Sequence, residues 1–404
     1  MAKTLITDST EGTSTPFLRG ILIRSLTDVG LSFQKAYQIS SAIRQQISGR
    51  PNLSTQELRQ LVLQELRRQR EPEAIIAYES NAPVPLIMVR NHAGELTPFS
   101  RNEHRHSLSS TGLPSDKGAV ITQSLYRQLV DAQQAEVASD DIGRLTYEEL
   151  KRQFGEEAAR HYLVWIHSKR TNRPLILLIG GATGCGKSTI ATEVAHRLDI
   201  IRTQSTDMLR EVMRMLIPER LMPALHTSSF NAWRKMPAMK EVREATEEQM
   251  ITGYLHQSEL LSLPCEAVVQ RALSEQVSLI VEGIHINPTL VNRFRGIRNA
   301  VIVPIMLAVL KQDRLRHYLK DRGMSAPQRN AESKYLSNFD YIWSLQSYLL
   351  SEADSSAMPI IENDNKERTA DQVMRAIIEV LQRDFDAKPE EVFSNTGLPR
   401  RAHR

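Results

Sequence analysis

Hydrophobic and polar positions follow two different patterns along the chain, and the change comes near Arg173. Before it, apolar residues recur at steps of three and four, as at Ile39, Ile43 and Ile47, which is the spacing of amphipathic helices. After it, runs of consecutive apolar residues alternate with helical patterns. These runs are residues 175–181, 278–283, 300–307 and 358–363. Such runs predict a parallel sheet that is covered by helices on both faces.

The part before Arg173 contains an internal repeat. Thr15-Pro16-Phe17 recurs as Thr97-Pro98-Phe99, a shift of 97 − 15 = 82 residues. Farther along, residues 54–66 resemble residues 146–158 at a shift of 92, which predicts about ten additional residues in a loop of the second copy. A short strand over residues 85–90 is predicted to open that copy. Two copies of one helical module are the simplest explanation.

These patterns divide the chain into four predicted segments. They are a first module at 1–84, a second module at 85–168, an α/β domain at 169–386 and a flexible basic tail at 387–404. The tail is predicted to be solvated because its residues show no hydrophobic periodicity.

Composition narrows the class of protein only modestly. Among 404 residues, Lys and Arg exceed Asp and Glu by 51 − 47 = 4, which suits acidic small molecules as well as nucleic acid. The two cysteines, Cys185 and Cys265, are too few for a disulfide framework and indicate a reducing compartment. Neither a secretory signal nor an apolar run of about 20 residues is present in the sequence. We therefore expect a cytoplasmic protein.

The strongest motif is GATGCGKS at residues 181–188, which fits G-x-x-x-x-G-K-[ST] between a predicted strand and a predicted helix. Backbone N–H groups of such a turn form an anion nest for the phosphates of ATP. Lys187 is predicted to reach the β and γ phosphates and Ser188 to bind Mg²⁺. Cys185 is expected to be a small apolar filler. The nucleotide-binding residues are predicted to be Gly181, Ala182, Thr183, Gly184, Cys185, Gly186, Lys187, Ser188 and Thr189.

Two carboxylates follow later strands. Asp207 stands at the start of a helical pattern, where it is predicted to orient an acceptor hydroxyl and help hold Mg²⁺, with Arg210 one turn on as an anion ligand. The alternative is that Asp207 caps the helix and Arg210 is solvated. Glu282 is the last residue but one of the run 278–283 and serves either the site or the structure. His285, just beyond, either contacts substrate or packs.

Two further segments are candidates for binding the substrate. Residues 225–236, LHTSSFNAWRKM, offer varied polar groups that suit a small oxygenated anion, or they form a plain surface turn. Residues 311–323 are basic and predict a lid that closes on the transferring phosphate, or a solvated helix face. The lid arginines are Arg314, Arg316 and Arg322.

In order and spacing, these motifs resemble the 2-phosphoglycerate kinases over roughly residues 173–385. The segments that carry the resemblance are 179–198, 205–214, 225–233, 281–288 and 335–350. The resemblance implies transfer of phosphate from ATP to the 3-hydroxyl of 2-phosphoglycerate, which gives 2,3-bisphosphoglycerate.

The N-terminal repeats, residues 12–31 and 94–113, resemble the ATP-cone, a helical regulatory nucleotide-binding module. Cones usually begin with a strand that bears basic residues, and Arg90 suits this role in the second copy. The shift of 82 gives Asp8 as its counterpart in the first copy, since 90 − 82 = 8. The alternative is that both copies are packing modules that bind no nucleotide.

We therefore predict an α/β P-loop NTPase domain with a doubly wound parallel sheet, preceded by mainly helical ATP-cone-like modules. The predicted activity is that of a small-molecule kinase, with a nucleotide-sensing regulator or a kinase of another phosphorylated polyol or of polynucleotide ends as alternatives. We expect no membrane or nucleic-acid partner, and the sequence allows a homo-oligomer. The catalytic residues are predicted to be Lys187, Asp207, Arg314 and Arg316. The substrate-binding residues are predicted to be Arg210, His226, Ser228, Ser229, Arg234 and Glu282, and the metal ligands Ser188 and Asp207.

Overall fold

The computed structural model describes most of the chain. The residues outside the description are 1–3, 8–13, 70, 72–73, 76–77, 79–86, 133–134, 172, 240, 325–334 and 394–404. The rest falls into two compact units, the first from residues 1–104 and 122–143 and the second from residues 105–121 and 144–396. Within the described ranges, no helix combines the length and the apolar character that a membrane crossing needs.

The first unit contains two three-stranded sheets of the same design. The strands are β1 (Leu5–Thr7), β2 (Ser14–Pro16), β3 (Asn52–Ser54), β4 (Met88–Arg90), β5 (Leu96–Pro98) and β6 (Glu136–Ala138). In each sheet the first strand is central, antiparallel to the second and parallel to the third. The helices of the two repeats are α1 (Arg19–Asp28), α2 (Phe33–Gln46), α3 (Thr55–Arg68), α4 (Arg101–Ser109), α5 (Ser115–Asp131) and α6 (Ser139–Phe154).

Strand pairing corrects the predicted alignment of the two repeats. Pro16 pairs with Leu5 and Pro98 with Met88, so the counterpart of Arg90 is Thr7 rather than Asp8, and Asp8 itself lies outside the described residues. The third strands begin 136 − 52 = 84 residues apart. The predicted shift of 92 is therefore wrong, because residues 146–158 run across the end of α6 instead of matching α3.

The second unit is built on a five-stranded sheet in which every neighbouring pair is parallel. Its strands are β7 (Leu175–Gly180), β8 (Arg202–Ser205), β9 (Leu279–Glu282), β10 (Val301–Ala308) and β11 (Ile360–Glu362), in the order β11-β10-β7-β9-β8. The predicted doubly wound parallel sheet is confirmed. All four residues of β8 are polar, unlike those of the other strands, and its first two residues are exposed at this edge of the sheet.

Helices precede, separate and follow these strands along the chain. They are α7 (Glu156–Arg170), α8 (Lys187–Leu198), α9 (Thr206–Leu216), α10 (Glu247–Ser274), α11 (Pro288–Asn292), α12 (Gln312–Met324), α13 (Phe339–Ser355), α14 (Lys366–Gln382) and α15 (Pro389–Val392). Three short 3₁₀ segments, Pro223–His226, Ser229–Lys235 and Pro237–Met239, come between α9 and α10.

Side chains of β7 alternate between two apolar clusters, one on each face of the sheet. Leu177 and Ile179 belong to a cluster with Ile190 of α8, whereas Ile176 and Leu178 belong to one with Tyr254 of α10. This alternation follows from the two-residue period of a strand. Fully burying one such side chain contributes about 1.5–3 kcal/mol relative to leaving it exposed. The two clusters therefore fix the end of β7, from which the phosphate-binding turn starts.

Two predicted boundaries differ from the structure. Leu108, Leu150 and Tyr162, all assigned to the second module, share a buried cluster with Val392 and Phe393. The division between compact units thus runs through the second repeat, and it does not fall at residues 168 and 169. The prediction of a solvated tail from residue 387 is wrong for α15 and Phe393, because their apolar side chains complete that cluster.

Candidate active site

The turn after β7 is shaped by its glycines and by the helix that packs on it. Gly184 has a φ of +87°, which L side chains rarely adopt. A Cβ atom there would lie 2.6 Å from Leu319 Cδ2, so α12 packs directly against the turn. Both Leu315 and Leu319 of α12 are buried in the core of the unit. The predicted lid helix is thereby held beside the predicted phosphate site.

Polar contacts hold the rest of the turn. Lys187 is buried and its Nζ donates to the carbonyl of Ala182 at 2.8 Å. Asn363, just after β11, donates from Nδ2 to the carbonyl of Cys185 at 2.9 Å and accepts a hydrogen bond from Thr369 Oγ1. Burial raises the pKa of the Cys185 thiol, so this side chain is an apolar filler without reactive thiolate character.

An oxygen-rich pair lies at the start of α8. Ser188 Oγ donates to Glu282 Oε1 at 2.9 Å, across the boundary between the turn and the end of β9. The Glu282 side chain is buried, and β9 neighbours β7 in the sheet. Hydroxyl and carboxylate oxygens are the hard ligands that Mg²⁺ takes in phosphate-binding sites. The donor set here therefore fits a Mg²⁺ ion.

Asp207 lies in the first turn of α9 and does not cap the helix. The cap is Ser205, whose Oγ accepts the N–H of Asp207 at 3.3 Å. The Asp207 side chain is 52% exposed, and its Oδ1 lies 3.8 Å from Arg210 Nε. The alternative that Asp207 is only a helix cap is therefore wrong. Its carboxylate is left accessible beside the carboxyl ends of the strands.

Arg210 is largely buried, so the alternative of a solvated arginine is also wrong. Its Nη1 donates to the carbonyls of Leu225 at 3.3 Å and Thr227 at 2.7 Å, and its Nη2 lies 3.0 Å from Glu211 Oε1. The guanidinium thus ties α9 to the segment that begins with the first 3₁₀ turn. Arg210 Nε is buried with no hydrogen-bond partner among the described residues.

His285 is the centre of a buried network that we call the His285 network, made of His285, Thr206, Ser229 and Gln257. Nδ1 of His285 lies 2.9 Å from Thr206 Oγ1, and Nε2 lies 3.1 Å from Ser229 Oγ and 3.0 Å from Gln257 Oε1. The Gln257 amide nitrogen donates to backbone carbonyls, including that of Thr227. Gln257 Oε1 therefore accepts, which puts the proton of His285 on Nε2 and leaves Nδ1 to accept from Thr206.

Electrostatics keep this imidazole neutral. Burial lowers the pKa of His285 to about 4, opposed by Asp207 and reinforced by Arg210 and Lys187. The same interactions indicate that Lys187, Asp207 and Arg210 all lie within electrostatic range of one ring. A neutral imidazole with fixed donor and acceptor atoms suits a positioning role.

The remaining residues predicted to bind substrate differ in placement. His226 Nε2 donates to the carbonyl of Ile217 at 2.9 Å, and Ser229 belongs to the His285 network. Ser228 Oγ is buried, and none of the described residues is its hydrogen-bond partner. Arg234 is exposed, with its guanidinium 4.4 Å from the centre of the Trp233 ring. Ser229 is thus part of the His285 network, whereas Arg234 contacts Trp233, its neighbour in the same 3₁₀ segment.

The predicted lid arginines have different surroundings. Arg316 lies over the ring of Phe339 at 3.9 Å, and its Nη1 is 3.7 Å from Asp313. Arg314 is half-buried on the same helix as Leu315. The Arg322 side chain lies outside the described residues.

Three residues of the site were not identified from the sequence. Thr206 and Gln257 join the His285 network, and Asn363 holds the phosphate turn. Asn363 could have been identified from the sequence, because it is a polar residue directly after an apolar strand, and the carboxyl ends of parallel strands lie together. Gln257 had none, because a single glutamine on a long helix is normally solvated.

Comparison with known proteins identifies relatives for about three quarters of the chain. A 2-phosphoglycerate kinase of Pyrococcus furiosus is 34% identical over 301 residues, which are 74% of this chain and 93% of that protein. The 2-phosphoglycerate kinase of Methanocaldococcus jannaschii is 33% identical over 316 residues, 77% of this chain and 98% of that protein. One from Methanopyrus kandleri is 34% identical over 72% of this chain and 86% of its own length.

Solved structures and protein-family models give no further support for the family of this chain. A solved shikimate kinase structure from Bacteroides thetaiotaomicron aligns at 17% identity over 52% of this chain and 98% of its own. Its TM-score of 0.27 is too low to bear on the fold. No protein-family model matches the chain.

The sequence matches extend over most of the length of these kinases and include far more than the phosphate turn. With the P-loop and the parallel sheet, they identify this protein as an ATP-dependent kinase. The chain belongs to the 2-phosphoglycerate kinase family.

Proposed function

We propose that this kinase transfers the γ-phosphoryl group of ATP to the 3-hydroxyl of 2-phosphoglycerate and forms 2,3-bisphosphoglycerate. The names of the relatives support this acceptor. The observation that carries the proposal is the arrangement of Asp207 and the Ser188–Glu282 pair at the ends of strands β8 and β9, beside the turn that follows β7. A kinase of a small acid needs both a phosphate cradle and an accessible carboxylate next to it.

ATP is proposed to bind the backbone N–H groups of residues 181–189. Lys187 then exchanges its hydrogen bond with the Ala182 carbonyl for the β and γ phosphates. Ser188, Glu282 and Asp207 are the proposed Mg²⁺ ligands, directly or through water. When bound, the ion neutralises charge on the phosphates.

Asp207 is proposed to orient the acceptor hydroxyl and receive its proton. As the acceptor oxygen forms a bond to the γ phosphorus, the bond from that phosphorus to the β–γ bridging oxygen breaks, and ADP leaves with the bond's electron pair. Positioning contributes most in such a reaction, because little covalent chemistry falls to the protein.

The anionic part of the substrate is proposed to bind between α9 and the segment 226–234. Arg210 Nε and Ser228 Oγ are both buried groups that have no hydrogen-bond partner in the described part of the chain. Each of these groups can donate a hydrogen bond to an oxygen of a carboxylate or phosphate. His226, Ser229 and Arg234 are the further predicted ligands, and Arg314 and Arg316 are proposed to cover the transferring group.

His285 is proposed as a positioning residue. Through Thr206 it fixes the start of α9 next to Asp207, and through Gln257 it fixes the carbonyl of Thr227, which also accepts from Arg210. The neutral imidazole of His285 therefore positions both sides of the proposed acceptor site, which are the start of α9 and the Thr227 carbonyl.

Two parts of the proposal concern the rest of the chain. We propose that the second repeat binds nucleotide, because Arg90 lies exposed on β4 in an ion pair with Glu136. The counterpart Thr7 in the first repeat lacks a charge. Free, buried Cys185 and Cys265 support a reducing, cytoplasmic setting.

ADP release by the purified chain with ATP and Mg²⁺ tests the central claim. We expect release to depend on an acceptor and 2-phosphoglycerate to give the highest kcat/KM among 2-phosphoglycerate, 3-phosphoglycerate and small phosphorylated polyols. Lys187→Ala should abolish the release while the thermal unfolding midpoint stays within a few degrees.

Other outcomes would contradict the proposal in distinct ways. Slow hydrolysis that ignores every acceptor would favour a regulatory switch. Stimulation by polynucleotide ends, falling steeply with added salt, would favour a kinase of nucleic-acid ends. Normal turnover by the Lys187→Ala protein would remove the P-loop from the mechanism.

A further inference from the structure

Helix α13 contains a buried polar residue, Gln346, that the proposed mechanism does not use. The helix belongs to segment 335–350, which carries part of the family resemblance. Its buried face is apolar apart from Gln346, which is 2% exposed. Glutamine lies mostly at protein surfaces. A glutamine within an apolar face therefore has a specific partner to explain it.

That partner is the backbone of Val309. The Val309 N–H donates to Gln346 Oε1 at 3.1 Å, and Gln346 Nε2 donates to the Val309 carbonyl at 3.0 Å. Val309 is fully buried and follows Ala308, at which the pairing of β10 with β11 ends. An amide offers a donor and an acceptor side by side without a charge. Gln346 thus completes the hydrogen bonding of a buried backbone unit that lies just beyond the strand pairing.

Val309 begins the connection between the sheet and α12, the predicted lid helix. Three residues, 309–311, separate the end of β10 from the start of α12. Each residue contributes only two freely rotating backbone dihedrals. With the backbone of Val309 held by Gln346, few rotations are left between the sheet and the helix. The direction in which α12 leaves the sheet therefore depends on Gln346.

The same face of α13 contacts α12 at a second point. Phe339 and Gln346 are 346 − 339 = 7 residues apart, so they lie two helical turns apart on one face. The guanidinium of Arg316 lies 3.9 Å from the centre of the Phe339 ring. Phe339 also shares a buried cluster with Leu315 and Leu319 of α12. Helix α13 thus holds both the start of the lid helix and one of its arginines.

We propose that Gln346 is a positioning residue for phosphoryl transfer. By holding Val309 it sets the direction of α12, so that Arg316, packed on the Phe339 ring, is presented to the transferring group. The Arg316 side chain is 46% exposed and remains accessible to an anion. This inference rests on the proposed function, in which Arg314 and Arg316 cover that group. Gln346 acts through the lid, because its own amide is occupied by Val309.

Gln346→Met keeps the length of the side chain and removes both hydrogen bonds to Val309. We expect kcat for ADP release with 2-phosphoglycerate to fall at least about tenfold, because small errors in positioning slow such reactions strongly. The KM for ATP should change less than about threefold, since the hydrogen bonds of Lys187 and Asn363 in the phosphate turn remain. Gln270→Met, the same substitution at an exposed position of α10, is the matched control and should keep kcat within about twofold.

Gln346→Glu tests the hydrogen bonds apart from the packing. A protonated carboxyl group accepts from the Val309 N–H and donates to the Val309 carbonyl, as the amide does. Burial raises the pKa of a carboxyl group, so the introduced group should be protonated at about pH 6. At that pH Gln346→Glu should be at least about fivefold more active than Gln346→Met. Equal activities of the two variants would overturn the inference.

Arg316→Met separates this inference from the proposed function. If Arg316 covers the transferring group, its removal lowers kcat. The loss caused by Gln346→Met should then be at least about threefold smaller in the Arg316→Met background than in wild type, because both changes act on one arginine. Losses that multiply, or a normal kcat for Gln346→Met, would overturn the inference and leave the proposed function intact.

A normal kcat for Arg316→Met would instead contradict the lid role in the proposed function, and the inference would fall with it. Where Gln346→Met does not fold, Gln346→Glu decides. Its activity relative to wild type should decrease between about pH 6 and about pH 9, because the ionised carboxylate can no longer donate to the Val309 carbonyl. A constant ratio would then overturn the inference.

Discussion

At the scale of single residues, the candidate active site separates an accessible carboxylate from buried polar groups. Asp207 is half exposed at the start of α9, whereas Glu282, His285 and Lys187 are buried behind it. Burial fixes the rotamers and the proton positions of the buried groups, while exposure leaves Asp207 free to meet an acceptor.

Asp207→Asn should lower kcat by about 10²–10⁴ while the Kd for ATP changes less than about threefold, because general-base catalysis contributes that range. Stopped assays for kcat and equilibrium binding for ATP measure the two quantities. Glu248→Gln, an exposed carboxylate on α10, is the matched control and should keep kcat within about threefold. A kcat within twofold of wild type for Asp207→Asn would remove the proposed role.

His285 should make the stability of the second unit depend on pH. Its pKa of about 4 in the folded protein lies below the value of about 6.5 for an unfolded chain, so the unfolded state binds more protons between these values. Stability is therefore full above pH 6.5 and falls as the pH drops towards 4, by on the order of 2 kcal/mol at pH 5.

Urea unfolding at pH 7 and pH 5 measures this loss. His285→Gln, although less stable at both values, should lose less between them than wild type does. Exposed His256→Gln should behave like wild type. Equal losses for wild type and His285→Gln would show that other groups carry the pH dependence. Buried His104 in the first unit, whose pKa burial also lowers to about 4, should add a separate loss there.

At the scale of elements, the start of α9 is set by the loop after β9. Gly283 has a φ of +155°, and a Cβ atom on it would collide with Thr206 Oγ1. Because Thr206 donates to His285, this close approach aligns the first turn of α9 with the imidazole. The loop after β9 thus positions α9, the helix that bears Asp207.

Gly283→Ala should therefore destabilise the second unit by about 2 kcal/mol or more and lower kcat, because Thr206 must move. Gly296→Ala is the matched control: its φ is also positive, at +97°, but a Cβ there meets no atom within 4 Å. Its effect should be limited to backbone strain of about 1 kcal/mol. Thermal unfolding and steady-state kinetics measure both variants, and equal losses would contradict the close-approach argument.

At the scale of the whole molecule, the second repeat and residues 389–393 share one core. Tyr162 of α7 stacks with Phe393 at 6.3 Å between ring centres, and Leu108 and Val392 belong to the same buried cluster. The match to the Pyrococcus furiosus kinase covers 301 residues, well beyond the roughly 213 between residues 173 and 385. The family resemblance therefore extends past the P-loop domain.

Phe393→Ala should lower the free energy of unfolding of the second unit by about 3–5 kcal/mol, as expected for removing a buried phenyl ring. Glu390→Gln, an exposed position on α15, should change it by less than about 0.5 kcal/mol. Urea unfolding at constant pH compares the two. A neutral Phe393→Ala variant would mean that residues 389–393 are solvated after all.

The sequence alone determined the features that depend on local spacing. The turn at 181–188, the apolar strands of the sheet and the helical repeats are each encoded within a few consecutive residues, so their identification needs no knowledge of the fold. Asp207 and Glu282 were also identifiable, because carboxylates that follow strands meet at one edge of a parallel sheet.

Only the tertiary structure decided how distant segments meet. The partners of His285 come from Thr206, Ser229 and Gln257, which are 28 to 79 residues away, and no local pattern specifies such contacts. The alignment of the two repeats depended on strand register, and the division between compact units depended on which apolar faces share a core. All three features depend on packing. Whether a polar group or an apolar face is buried depends on residues that are distant in the sequence and pack against it.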